Sequence, residues 1–286
     1  MNVSSRFLPL ASACLAVGLA APAGAELIVD FTQDATGTNS FSTIGSFTDS
    51  GPDRVALATF TETATVFPLD PGFPVFRGGS RTVWPGQAGP TGTINRIAEV
   101  YGNSPDRINV QHGAINGTAP RFNDLMLVFK DDFDALSDSR VGFDDTSSLS
   151  LRVEFQGSVS SRTLNWVVKN DGTYYLNTDG GGNTGFGVKT LSNPNAGNWV
   201  TFDPNANGGD LSLLDAQTAG GSPVIFNDIE AVGMFWEGQG SGGTATYQFS
   251  SLTVDAVAVP IPEPGSLALA GAGAGALLLR RRNGRG

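Results

Sequence analysis

Short runs of alternating apolar and polar residues follow one another along most of this chain, separated by turns rich in Gly, Pro, Asn and Asp. A period of two with many β-branched and aromatic residues is typical of β-strands. No stretch between the two ends of the chain keeps the 3.6-residue apolar period of a confident helix. The pattern predicts strands at residues 27–31, 55–61, 93–100, 125–130, 149–156, 164–169, 173–177, 199–202, 231–236 and 244–255.

The clearest local signal is a tight hairpin at Asn170-Asp171-Gly172, whose residues tolerate the positive φ that such turns require. In the run before it, alternation puts Leu164, Trp166 and Val168 on one face, which we expect to be core. The last predicted strand, 244–255, alternates throughout its length. Together these runs predict an antiparallel β-sandwich over residues 26–257.

The hairpin and the closing strand are similar to those of jelly-roll sandwiches among carbohydrate-binding and lectin-like domains, over about residues 120–257. The expected fold class is therefore all-β, an antiparallel jelly-roll-like β-sandwich. We expect a signal helix before the sandwich and a single transmembrane helix after it.

The N-terminus has the layout of a secretory signal peptide over residues 1–25. Arg6 supplies the positive charge, residues 7–19 are apolar, and Ala23 and Ala25 form an A-x-A cleavage site before Glu26. Lipidation at Cys14 is disfavoured, because the residues directly before it lack the usual leucine and the apolar stretch ahead of it is short.

The C-terminus has three parts: Pro262-Glu263-Pro264, an uncharged run of 15 residues from Gly265 to Leu279, and the arginines Arg280, Arg281 and Arg282. As a helix the run would be roughly 22 Å long, short against a hydrocarbon core of about 30 Å. It can still cross if the arginines snorkel and the bilayer thins locally. Because positive residues stay cytoplasmic, everything before Pro262 is predicted to lie outside.

The order and spacing of these parts resemble the PEP-CTERM sorting signal of Gram-negative bacteria. The resemblance implies that exosortase, a membrane-embedded transpeptidase, removes the helix and passes the protein to the cell surface or extracellular matrix. Residues 258–264 would be the linker with the sorting motif, and residues 265–286 the transmembrane helix with its cytoplasmic tail. A plain retained anchor predicts the same orientation and stays open as an alternative.

Processing changes the charge of the chain. Of its 17 basic and 27 acidic residues, the leader and tail hold five and one, so the remainder has 12 and 26 and a net charge near −14. Such a surface repels nucleic acid and anionic lipid. The single cysteine, Cys14, leaves with the leader, which excludes disulfides and thiolate sites. The single histidine, His112, is the sole candidate base for a Ser-His-Asp arrangement.

Aromatic residues are the candidate ligand contacts. Residues 68–90 are rich in Pro and Gly and predict a long loop packed on the sandwich, in which the pattern indicates an exposed Trp84. Tyr174 and Tyr175 are neighbours on one strand and must point to opposite faces, so one of them is expected to face solvent. These three could stack on a sugar; the alternative for each is the core of the sandwich.

One acidic loop has oxygen ligands at alternate positions, as in the opening of a calcium loop. Asp203, Asn205, Asn207 and Asp210 could hold a structural Ca²⁺, with two glycines freeing the backbone to turn. An EF-hand is rejected because Leu214 stands where the bidentate glutamate belongs. The alternative is a turn in which the Asp and Asn side chains cap their own backbone.

No catalytic residues emerge, because no carboxylate pair or phosphate-binding loop is evident. We expect a non-enzymatic surface or matrix protein associated with exopolysaccharide. A carbohydrate-binding module and a secreted polysaccharide-acting enzyme are the alternatives. The expected partners are exosortase, extracellular polysaccharide and, before processing, the membrane; no cofactor is expected beyond the possible calcium.

Overall fold

A computed structural model describes residues 24–30, 41–42, 45–50, 53–58, 60, 62, 76–86, 92–94, 98–103, 107–112, 117–132, 140–156, 159–179, 187–205, 220–241 and 245–259. Apart from Gly24 and Ala25, the predicted signal peptide lies outside these residues, as do the predicted transmembrane helix and arginine tail. Within the described residues, no helix is long and apolar enough to cross a membrane.

The described residues form an all-β, antiparallel protein, which confirms the predicted class. Two short 3₁₀ turns, Lys130–Asp132 and Pro194–Ala196, lie between strands. The strands are β1 (Gly24–Asp30), β2 (Phe41–Ser42), β3 (Gly45–Ser50), β4 (Asp53–Ala58), β5 (Phe76–Trp84), β6 (Gly92–Ile94), β7 (Ala98–Asn103), β8 (Arg107–His112), β9 (Arg121–Phe129), β10 (Arg140–Gly142), β11 (Ser148–Gln156), β12 (Val159–Asn170), β13 (Thr173–Asn177), β14 (Gly187–Ser192), β15 (Trp199–Phe202), β16 (Ile229–Gly240) and β17 (Ala245–Val259).

These strands form two sheets. The nine-stranded sheet has the order β15-β13-β12-β16-β9-β5-β4-β3-β6. The eight-stranded sheet has the order β14-β11-β17-β8-β7-β2, and β1 and β10 also pair with β17. Every pairing is antiparallel.

Strand β17 is paired along both of its edges. Its residues 251–255 face β1 on one edge and β11 on the other, and residues 247–249 lie between β8 and β11. Further along, Val257 pairs with both Gly24 of β1 and Gly142 of β10. The last strand of the domain is therefore hydrogen-bonded to four other strands.

The main core lies between the two sheets. The nine-stranded sheet contributes Leu164, Trp166 and Val168 of β12, as predicted, together with side chains of β9 and β16. The eight-stranded sheet contributes Leu252 and Val254 of β17, packed in the same cluster. Interdigitation of the two inner faces is the packing of a β-sandwich.

The nine-stranded sheet also buries its outer face. A second cluster, which we call the outer cluster, consists of Phe60, Leu125, Leu127, Phe129, Val167, Leu176, Phe202, Ala231 and Phe235. Val167 and Val168 are neighbours on β12 that point to opposite faces, and both are 0% exposed. Strands buried on both faces read as continuous apolar runs rather than alternating ones.

The hairpin predicted at residues 170–172 is confirmed. Asn170 pairs with Thr173, and the two residues between them, Asp171 and Gly172, have φ of 48° and 74°. Positive φ at both central residues is the requirement of a two-residue turn that matches the twist of the strands.

The prediction of a loop over residues 68–90 is wrong at residues 76–84. Phe76–Trp84 is strand β5, which pairs with β9 and β4 inside the nine-stranded sheet. Glycine normally weakens a strand, but Gly78 and Gly79 are buried here opposite Met126 and Leu125. Gly78 and Gly79 are therefore buried strand residues, whereas Gly86, with a φ of 70°, lies in the turn that follows β5.

The predicted alternation of the closing strand fails at one point. The register between β11 and β17 runs from Arg152↔Ser251 to Val153↔Phe249, so that Ser250 has no partner on β11. A bulge of this kind shifts the side-chain phase by one residue. As a result Ala245 and Leu252, an odd and an even position, enter the same core. The strand also continues to Val259, two residues into the predicted linker.

Candidate functional site

A cleft of about 500 Å³ opens to solvent at one margin of the outer cluster. We call it the Glu62 cleft. It is built from the β12–β13 hairpin, the end of β15 with the turn that follows it, and the segment after β4. Its lining residues are Phe60, Glu62, Gly172, Thr173, Tyr174, Phe202, Asp203, Pro204 and Asn205.

The carboxylate of Glu62 is held in place although it is partly exposed. Its Oε1 accepts a hydrogen bond of 2.5 Å from the Tyr174 hydroxyl and lies 2.9 Å from Nζ of Lys169. The guanidinium of Arg77 donates to the backbone oxygen of Glu62 at 2.6 Å. The Tyr174 hydrogen bond, with smaller help from Lys169, outweighs burial and holds the pKa of Glu62 below its usual value.

The buried Lys169 forms ion pairs with two glutamates, Glu62 and Glu230, beside the cleft. Its ammonium lies over the outer cluster, 5.6 Å from the rings of both Phe129 and Tyr174, and its side chain is only 11% exposed. It pairs with Glu230 at 2.6 Å as well as with Glu62. Burial alone would lower the pKa of Lys169, but the hydrogen bonds and charges of the two glutamates together raise it. The lysine is therefore held in its charged form.

Tyr174 forms the junction between the polar and apolar parts of the cleft. Its ring meets that of Phe60 edge-on at 5.8 Å, and it stands opposite Phe202 in the β13–β15 pair. Burial, and then the hydrogen bond to Glu62, raise the pKa of Tyr174, so the hydroxyl keeps its proton and acts as a donor. Phe60 and Phe202 are 3% and 5% exposed and make the floor of the cleft.

The acidic loop predicted to bind calcium begins in the wall of this cleft. Asp203 Oδ1 accepts a hydrogen bond of 2.9 Å from the backbone N–H of Asn205. This is the Asx turn that was the alternative reading of the motif. Asn207 and Asp210 lie outside the described residues, among which no group of three or more His, Cys, Asp or Glu side chains could hold a metal ion. Calcium at this loop stays a prediction.

The three aromatic residues predicted to contact a ligand, Tyr174, Tyr175 and Trp84, lie in different environments. Tyr174 lines the cleft, whereas Tyr175 points to the other face and packs against the main core beside Phe226, at 5.5 Å. Both tyrosines are half-buried, so neither is simply solvent-facing. Trp84 is 3% exposed at the end of β5, so the loop exposure that suggested it as a ligand contact is absent.

A buried polar network, the His112 network, crosses the main core between the sheets. His112 of β8 accepts or donates at both ring nitrogens: Nδ1 lies 2.9 Å from the Thr82 hydroxyl, and Nε2 lies 2.7 Å from Asp124 Oδ2. The Ser80 hydroxyl donates to Asp124 Oδ1 at 2.7 Å. The imidazole also stacks on Phe122 at 4.2 Å.

This network has the order of a hydroxyl, an imidazole and a carboxylate, as in a nucleophilic triad. Its position argues for a structural role, because Thr82 and His112 are 0% exposed and Ser80 and Asp124 are 3% exposed. A nucleophile must reach its substrate, and this hydroxyl lies inside the core. The network instead connects β8 of one sheet to β5 and β9 of the other through hydrogen bonds.

The sequence interpretation missed Phe60, Glu62 and Lys169. Glu62 stands alone just beyond a predicted strand, with no local spacing that marks it as a site residue. Lys169 did carry a signal: it follows the unbroken run Trp166-Val167-Val168 in a strand that is buried on both faces. A lysine at such a position needs an acidic partner, which the structure supplies twice.

The residues that follow β17 match a protein-family model, the PEP-CTERM protein-sorting motif, over residues 260–282. The chain carries a PEP-CTERM sorting motif. The match begins directly after Val259, the last residue of β17, and includes the predicted Pro262, Glu263 and Pro264. The PEP-CTERM motif implies exosortase as the processing partner, with export through a membrane-anchored precursor to the cell surface.

The PEP-CTERM match does not extend into the sandwich. No curated protein and no solved structure matches the chain. The predicted leader cleavage after Ala25 stays a prediction, and the structure places Gly24 and Ala25 in β1 of the uncleaved chain.

The geometry predicts a pH dependence for Glu62. Its pKa is lower in the folded than in the unfolded chain, so its contribution to the free energy of unfolding is fully present above about pH 4.5 and is lost as the pH falls through the folded pKa. Urea unfolding of the protein and of Glu62→Gln from about pH 7 to about pH 3 measures this contribution. The stability gap between them should close as the pH falls; a gap that is constant over this range contradicts the assignment.

The His112 network predicts strong coupling between its members. His112→Phe and Asp124→Asn should each lower the free energy of unfolding by about 1–3 kcal/mol, because each disrupts a hydrogen bond between buried polar groups. The double variant should cost clearly less than the sum, since the partner is then also gone. Asp145→Asn, at an exposed position, serves as the control and should change stability by less than about 0.5 kcal/mol. Strictly additive effects would show that the network does not join the sheets.

Proposed function

We propose that the chain is a non-enzymatic protein of the cell surface or extracellular matrix of a Gram-negative cell, displayed in association with exopolysaccharide. One observation supports the surface role: the PEP-CTERM motif begins directly after β17, and β17 is paired along both of its edges. The sorting segment is thus attached to the strand that is most extensively bonded to the rest of the domain.

The position of β1 supports the same proposal. β1 runs antiparallel to β17, with Ala25 opposite Ala256 and Gly24 opposite Val257. The predicted leader junction and the start of the sorting motif therefore lie at the same end of the eight-stranded sheet. A precursor held in the membrane by either end would present the same end of the sandwich to the bilayer.

The second candidate, a carbohydrate-binding module, is favoured by the Glu62 cleft, where an apolar floor meets polar walls. A polysaccharide-acting enzyme receives less support from the same cleft. Glycoside hydrolysis needs one protonated carboxyl group as the acid, whereas the hydrogen bond from Tyr174 and the charge of Lys169 keep Glu62 ionised. We therefore place binding before catalysis.

The proposal predicts two processed ends in surface material. Full-length protein is expressed in cells with and without exosortase, and its terminal peptides are identified by mass spectrometry. With exosortase, we expect an N-terminus at Glu26 and no peptides from residues 265–286; without it, the tail should stay on the protein in the membrane fraction.

Matched variants make this test specific. Pro262→Ala with Pro264→Ala should give the membrane-retained form even when exosortase is present, whereas Pro260→Ala, which leaves Pro-Glu-Pro intact, should be processed. Recovery of the intact tail in surface material from exosortase-containing cells would instead identify a retained anchor.

A further inference from the structure

We propose that the Glu62 cleft binds a neutral saccharide, an inference that rests on the proposed surface role and names the chemistry of its ligand. Four features of the cleft support it: the orientation of one carboxylate, the amphipathic lining, the sign of the charge of that lining and the strand framework that holds it.

The first step is that the cleft presents a hydrogen-bond acceptor that is both accessible and fixed. The side chain of Glu62 is 43% exposed, yet Tyr174 and Lys169 hold its Oε1 and Arg77 holds its backbone oxygen. Both side-chain contacts use Oε1, and Oε2 has no partner in the described part of the chain. An ionised carboxylate is an acceptor only, and its bonds to hydroxyl donors are stronger than those between neutral groups.

The second step is that the cleft combines apolar and polar surfaces. Phe60, Tyr174 and Phe202 form an aromatic floor, and Glu62, Asp203 and Asn205 supply oxygen and amide groups around it. A ligand that fits must have apolar C–H faces together with several hydroxyl donors. Saccharides have this chemistry, and a mostly apolar pocket with a few placed polar groups is the usual form of a small-ligand site.

The third step is the charge of the lining. The charged residues that line the cleft are the acids Glu62 and Asp203. Of the nearby cations, Lys169 is paired with Glu62 and Glu230, and Arg77 donates to the backbone oxygen of Glu62 while its guanidinium lies over the ring of Phe129. A uronic acid polymer would bring further negative charge to these carboxylates, which costs free energy. A metal ion is also disfavoured, because only two carboxylates line the cleft and no third His, Asp or Glu of the described residues joins them in a metal-binding group. The ligand expected is therefore uncharged.

The fourth step is that paired strands and a fixed hairpin form the frame of the cleft. Tyr174 and Phe202 are register partners in β13 and β15. The hairpin that supplies Gly172 is fixed by a hydrogen bond of 2.5 Å from its backbone N–H to Glu230 Oε1. Since these strands are already ordered, binding does not have to pay their conformational entropy.

The test measures binding of the full chain in detergent to defined neutral oligosaccharides and to matched oligosaccharides that contain uronic acid. An array of both classes selects the probe, and titration calorimetry measures its dissociation constant. Glu62→Gln and Asp203→Asn should each weaken binding by about tenfold, because each loses a charge-assisted hydrogen bond to a sugar hydroxyl.

Asp131→Asn is the matched control. It removes one acidic charge at an exposed position that does not line the cleft. Binding that is unchanged in Asp131→Asn and weakened in Glu62→Gln supports the site. Equal weakening in both variants would show that only the net charge of the chain matters and would overturn it. Thermal unfolding of each variant confirms that it is folded.

Three other outcomes also overturn the proposal: binding of no neutral oligosaccharide, preference for the uronic acid class, or release of reducing ends from the bound sugar. These outcomes are separable from failure of the surface role, because the terminal peptides of the same variants report export and processing independently. If Glu62→Gln or Asp203→Asn is exported and processed but does not bind sugar, the cleft contacts the sugar and has no part in export.

Discussion

Burial of both faces of the nine-stranded sheet is the constraint on which the rest of the described structure depends. In β12, β16 and β9 one set of residues packs against the other sheet, and the alternate set forms the outer cluster. A sandwich sheet with one solvated face would need polar residues at those alternate positions. Val167, Leu127 and Phe235 stand there instead, each 0% exposed. At about 25 cal/mol per Å² of apolar surface removed from water, this second layer adds substantially to the stabilisation from the main core.

The outer cluster also determines the chemistry at its margin. Lys169 lies among these apolar side chains, and a cation there is stable only if it is paired. Glu62 and Glu230 provide the pairing, and the Tyr174 hydroxyl fixes Glu62 from the other side. The same contacts that allow a lysine to be buried therefore orient a carboxylate at the surface. The need to pair the buried Lys169 therefore accounts for the position of Glu62, and the proposed binding at the cleft depends on that position.

Features that depend on a few neighbouring residues could be predicted from the sequence. Features that depend on which strands pair, or on residues distant in the chain, could not. The hairpin at Asp171–Gly172, the core face of β12 and the strand Trp199–Phe202 were predicted because turn chemistry and alternation act within a few residues. β5 was missed because glycine is frequent in loops, and the sequence does not show that Gly78 and Gly79 lie in a buried strand. The bulge at Ser250 was missed because register is a property of two strands. Glu62 was missed because it approaches Lys169 and Tyr174 only after β4, β12 and β13 have assembled, over more than 100 positions of the chain.

Thiol accessibility on the two faces of β12 tests the central claim most directly. In a Cys14→Ser background, Val167→Cys places a thiol in the outer cluster and Val168→Cys places one in the main core, at adjacent positions that are both fully buried. Thr201→Cys, at an exposed position of β15, gives the rate of an accessible thiol. Burial of both faces predicts that the two valine-derived thiols react with maleimide no faster than the protein unfolds globally. Rapid labelling of Val167→Cys, at the rate of Thr201→Cys and with Val168→Cys still protected, would contradict it.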